Sequence, residues 1–155
     1  MVAALEARMQ TEYLASLIDQ KLAILEQMRQ LSRVQQEHVA NGEITHLLQI
    51  LAAKQGLIVD LRATERKLDP YREQDPETRT WRSEEAREHC RLVSQRCDQL
   101  LGEVMQLEKQ CEDALKQRRD SCAERLRDLQ SGVAAHAAYH DSQSQPTASF
   151  DLTAG

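Results

Sequence analysis

The sequence predicts an all-α protein, an elongated three-helix, coiled-coil-like bundle with a disordered C-terminal tail. Three observations carry this. Apolar residues recur at steps of three and four on both sides of Asn41-Gly42, and residues 1–41 hold neither Gly nor Pro. A heptad repeat runs through Cys90, Cys97, Val104 and Cys111. Leu, Ala, Glu, Gln and Arg dominate while aromatic residues make up only 3% of the chain, which suits long helices with a thin core. At 155 residues the chain suffices for one domain.

The first helix is expected over about 5–40. Leu14, Leu17, Ile18, Ile24, Leu25, Met28, Leu31, His38 and Val39 form its seam, interrupted by Lys21 and Gln35. Gly42 adopts positive φ at little cost and closes this helix. The second helix is expected over about 43–68, with Glu43 at the positive end of its dipole. Its seam reads Ile44, Leu47, Leu48, Leu51, Ile58, Leu61 and Leu68, with Lys54 and Glu65 as lapses. Gly56 inside a helix costs about 1 kcal/mol against Ala, a cost that a close helix–helix approach would offset. Asp69-Pro70 ends the helix, because the residue before Pro avoids the helical region.

The third helix is expected over about 77–130, with Asp75 as cap, Pro76 in the first turn, and Thr80 and Ser83 as rival starts. Val93, Leu100, Leu107 and Ala114 accompany the cysteine row, three residues further on. After Cys111 the phase slips by four residues, and Leu115, Cys122 and Leu129 resume the sevens beside Leu126 and Val133. Ser131-Gly132 is the expected stop. The bundle then spans 1–133 and a flexible tail 134–155, rich in Ser, Gln, Ala and Thr, with one further helical turn near Ala134–Tyr139 and a candidate docking motif at Phe150-Asp151-Leu152.

The net charge of −5 and pI of 5.6 argue against a nucleic-acid partner. Between Arg62 and Arg96 the basic residues alternate with acids, as on a solvated helix face. No signal peptide is recognised at the N-terminus and no apolar run approaches the ~20 residues of a membrane span. The expected location is the cytoplasm, without membrane insertion, and the four cysteines are expected as reduced thiols.

Metal and enzyme readings are weighed against plainer ones. Cys90, Cys97 and Cys111 sit seven or more residues apart, ~10 Å or more of helix rise, too far for the paired ligands zinc favours. They read as core thiols. His136 and His140 form an HxxxH pair, taken as solvated because two ligands hold a metal weakly. His38 and His46 show no acidic or thiol partner at motif spacing. His89 points about 100° away from Cys90 around the helix. No phosphate loop, GxSxG or HExxH is present. No enzyme activity, cofactor or metal is expected. Trp81, the only tryptophan, and Tyr71 read first as a plug at the end of the bundle, with a partner contact as the rival.

The break Ala40-Asn41-Gly42-Glu43-Ile44 and the phrase Lys54-Gln55-Gly56-Leu57-Ile58-Val59-Asp60-Leu61 resemble the FlgN family of flagellar type III export chaperones. The resemblance covers Leu14 to Leu68, about a third of the chain, and the later layout with Ala138-Tyr139 and Phe150-Asp151 is similar to that family. Gln95, Gln99 and the cysteines stand where many members carry Asn-rich phrases. The resemblance implies a cytoplasmic escort for hook–filament junction subunits, in contact with the export apparatus. The rival is a structural coiled-coil adapter that forms a homo-oligomer. At about fifty residues, the third helix would span roughly 75–80 Å against ~54 Å for the first. Its C-terminal stripe of Leu115, Cys122, Leu126, Leu129 and Val133 is therefore the expected partner-binding site, with closure of a homodimer or packing of the tail on the stripe as the rival.

Overall fold

The computed structural model describes residues 1–144. Among them are three α-helices and no strand: α1 (Val2–Asn41), α2 (Ile44–Arg72) and α3 (Glu84–Ser144), with a short 3₁₀ turn at Pro76–Thr78. The chain divides into two compact units, Met1–Ala114 and Leu115 onward.

In the first unit α1 folds back into α2 at a tight turn. Gly42 takes φ 71°, ψ 25°. Its N–H donates to the Val39 carbonyl at 3.3 Å, and the Glu43 N–H donates to the His38 carbonyl at 3.1 Å. These two bonds form a Schellman closure, which satisfies carbonyls that the end of α1 would leave open.

The core of this unit takes side chains from all three helices. Leu25 and Met28 of α1 meet Val93, Cys97, Leu100 and Val104 of α3, with Leu57, Ile58 and Leu61 of α2 against them. A second cluster, Leu14, Leu17 and Leu68, is covered by Tyr71 and Trp81, so the tryptophan does pack as a plug. Cys90, Cys97 and Cys111 are buried on the packing seam.

The α2 seam differs from the expected one. Ile44, Leu48 and Leu51 are exposed, while Leu47, Ile50, Lys54, Thr64 and Leu68 are buried. The inward row keeps steps of seven through buried Leu47, Lys54 and Leu68 and partly buried Leu61, and it does so by accepting Lys54. Each polar lapse finds a partner. The Lys54 ammonium donates to Gln35 Oε1 at 2.7 Å and pairs with the Glu108 carboxylate. The Ser32 hydroxyl donates to Glu108 Oε1 at 2.8 Å, and Lys21 pairs with Glu65 at 2.7 Å. Ser32, Gln35, Lys54 and Glu108 thus form one satisfied polar layer linking α1, α2 and α3, and Lys21–Glu65 is a separate α1–α2 pair, which meets the condition for burying such groups without a large penalty.

Three boundaries also differ. α2 continues through Asp69-Pro70 to Arg72, so one proline lies inside a helix. Near a helix end Pro removes few bonds, and here Tyr71 packs on the Leu14 cluster while Arg72 pairs with Asp69 and Glu65. Asp75-Pro76 starts only the 3₁₀ turn; α3 begins at Glu84, where the Ser83 hydroxyl accepts from the Ala86 N–H at 3.1 Å. α3 runs on through Ser131-Gly132 to Ser144 and takes in the first part of the expected tail. The Phe150-Asp151-Leu152 motif and the rest of that tail lie outside the described residues.

A Cβ at Gly56 would meet nothing within 4 Å, so no close helix approach accounts for this glycine. By length and mean hydropathy α2 also qualifies as a membrane span, contrary to the sequence expectation. Leu57, Ile58 and Leu61 of this helix pack on the core, Ile44, Leu48 and Leu51 are exposed, and its Lys54 is held by Gln35 and Glu108.

Candidate functional site

The second unit holds the C-terminal thirty or so residues of α3, about 45 Å of helix. Every described side chain from Leu115 to Gln143 is exposed. Within it Leu115, Cys122, Leu126, Leu129 and Val133 fall at steps of three, four and seven and so share one face. Leu126, Leu129 and Val133 are 60%, 66% and 69% exposed. Leu129, Gly132 and Val133, with Arg125, Asp128 and His136 around them, line a shallow surface depression. From Leu115 to Val133 the stripe extends ~27 Å.

Among the described residues other apolar groups are also exposed, such as Val2, Leu5 and Met9 on α1, Ile44, Leu48 and Leu51 on α2, and Leu101 and Met105 on α3. None of these spans more than about two turns. The α3 stripe is more than twice as long.

The cysteines divide by environment. Burial pushes the thiols of Cys90, Cys97 and Cys111 above the ordinary thiol range, so they stay protonated. The Cys97 and Cys111 thiols face the carbonyls of Ile18 and Ser32 at 3.7 and 3.8 Å. A cysteine nucleophile needs the opposite shift. Cys122 alone among the four is exposed, and it lies on the stripe.

One constellation escaped the sequence reading. His38 and His46 do have an acidic partner: Glu43, five residues after the first and three before the second. Its Oε2 lies 2.9 Å from His38 Nδ1 and 2.8 Å from His46 Nδ1. The two rings stack at 4.9 Å. The hydrogen bond from His46, aided by that from His38, holds the Glu43 carboxyl below the usual carboxylate range. The signal was in the Asn41-Gly42 break itself: a Schellman turn folds the next residue back over the last helical turn, which brings position 43 against position 38. His136 and His140, Nε2 to Nε2 at 3.0 Å, extend the stripe on its exposed side.

The FlgN protein family matches residues 9–147, nearly the whole chain. The chain belongs to the FlgN family. This match takes in α3, well beyond the Leu14–Leu68 stretch on which the sequence resemblance rested. Membership supports a flagellar export chaperone role in general, and with it binding of flagellar proteins. No curated protein and no solved structure matches this FlgN-family chain.

Proposed function

We propose that this chain is a cytoplasmic chaperone that holds hook–filament junction subunits before export. It captures an amphipathic helix of the client on Leu115, Cys122, Leu126, Leu129 and Val133. Family membership supports the flagellar part of this reading. One observation supports the capture part: five apolar residues stay exposed along a single helix face in a unit where no described side chain from Leu115 to Gln143 is buried. The mode is helix-in-groove recognition. Burying each aliphatic side chain contributes about 1.5–3 kcal/mol, set against an association cost of about 4–15 kcal/mol. Four such anchors and one thiol therefore hold a client reversibly, as an escort that must release its cargo requires. The acidic pI of 5.6 leaves nucleic acid out of the proposed partners.

The test is Leu126→Asp with Leu129→Asp. Each substitution places a charge where the complex is apolar, at a cost of several kcal/mol once desolvated. Affinity for a purified junction subunit collapses, while helicity and melting temperature barely move because both side chains are exposed in the free chain. A double variant that binds normally, or that unfolds, rules the stripe out. Light scattering separates the adapter alternative: a stable homo-oligomer that the double variant dissociates assigns the stripe to self-association.

A further inference from the structure

The turn between α1 and α2 brings together a set of donors that the stripe does not use. We propose that His38, Glu43 and His46 form a binding site for one divalent transition-metal ion of the zinc class, which staples the end of α1 to the start of α2. The donor atoms of the three side chains all lie within 4.8 Å of one another. Two imidazoles approach one carboxylate oxygen from different helices, at 2.9 and 2.8 Å. A tetrahedral ion with bonds of 2.0–2.2 Å separates its ligand atoms by about 3.3–3.5 Å. Entry of the ion thus requires each histidine nitrogen to part from the Glu43 oxygen by only about half an ångström.

The backbone holds the three in place beforehand. The Glu43 N–H bonded to the His38 carbonyl ties the carboxylate-bearing residue to the first histidine. The Leu47 N–H bonded to the Glu43 carbonyl starts the helix that carries the second. His38 is partly buried, which limits its rotamers, and the stacked rings restrict both imidazoles. Two imidazole nitrogens with one carboxylate oxygen, and no thiolate, suit zinc, nickel or copper rather than the all-oxygen preference of calcium or magnesium. Three protein ligands leave a fourth position for water or for a donor from a bound partner.

The experiment uses the full chain, stripped of metal by a chelator and dialysed. It is titrated with Zn²⁺ by calorimetry and with Co²⁺ by absorption. Wild type takes up one equivalent with saturation, the melting temperature rises with added Zn²⁺ and falls back with chelator, and Co²⁺ gives a tetrahedral d–d spectrum without thiolate charge transfer. Glu43→Gln and His46→Gln each weaken that equivalent at least tenfold. Because both residues are at the surface turn, circular dichroism of these variants stays that of wild type. His136→Gln with His140→Gln, which removes the other histidine pair, keeps the tight equivalent. The proposal is overturned if wild type shows no saturable binding, if Glu43→Gln binds as wild type does, or if the tight equivalent disappears only with His136 and His140. None of these readouts involves the client, so the outcome is independent of the stripe's role.

Discussion

Lys54 is buried between Gln35 of α1 and Glu108 of α3, and its desolvation holds the ammonium below the usual lysine range. It is tolerated because Gln35 accepts its hydrogen bond and the Glu108 carboxylate pairs with its charge. Lys54→Leu leaves the buried Gln35 amide without its partner and lowers unfolding free energy by about 1–3 kcal/mol. Adding Gln35→Leu removes the orphaned group and recovers most of that loss, since a buried polar pair replaced together by apolar residues is often neutral. Denaturant titrations of the single and double variants measure both steps. The buried thiols carry a pH signature. Their folded-state pKa lies above the unfolded value, so the chain binds these protons more tightly when folded. The associated stability is complete below the unfolded thiol pKa of about 8.5 and is lost as pH rises beyond it. Stability of Cys97→Ala, lower at neutral pH because of the cavity, therefore declines less steeply than wild type above that pH. Parallel slopes contradict the assignment.

Gly56 and Gly102 sit inside helices with open space where a Cβ would stand. Gly56→Ala consequently stabilises the chain by about 1 kcal/mol, read as a higher denaturant midpoint with unchanged slope; a loss would mean an approach at this position. The helices themselves were legible in the sequence because period and punctuation agree: Asn41-Gly42 closes α1, and the cysteine heptads mark the buried face of α3. What stayed illegible has local causes. Reading only apolar residues put Ile44, Leu48 and Leu51 in the α2 seam, whereas the heptad step runs through Lys54, whose partners lie 19 residues back and 54 ahead. Pro70 did not stop α2 because Tyr71 packs on the Leu14 cluster and Arg72 pairs back along the same helix with Asp69 and Glu65, holding the last turn. Gly132 did not stop α3, because a lone Gly only weakens a helix. The His38–Glu43–His46 contact depends on the hand of the turn, which spacing alone does not convey.

Across the whole molecule two kinds of heptad face follow one another along α3. As far as Ala114 the helix buries its apolar row against α1 and α2, and from Leu115 on it leaves the corresponding row exposed. The proposed client capture needs both: a stable body and an apolar surface that a client can cover and leave. The stripe residues were identified by phase after the slip at Cys111, but their exposure could not be read from phase, since a heptad face looks the same whether covered or open. Cys122 reports on that face directly. It is the exposed thiol of the four and lies in the middle of the stripe, while Cys90, Cys97 and Cys111 are buried and serve as internal controls. The decisive measurement is the rate of alkylation at each cysteine, by mass spectrometry, in the free chain and in complex with a hook–filament junction subunit. In the free chain Cys122 reacts at the rate of an open thiol and the other three react slowly. At saturating client the Cys122 rate falls at least tenfold, with the buried three unchanged. A Cys122 rate that the client leaves unaltered, or one already suppressed in the free chain, contradicts client capture on this stripe.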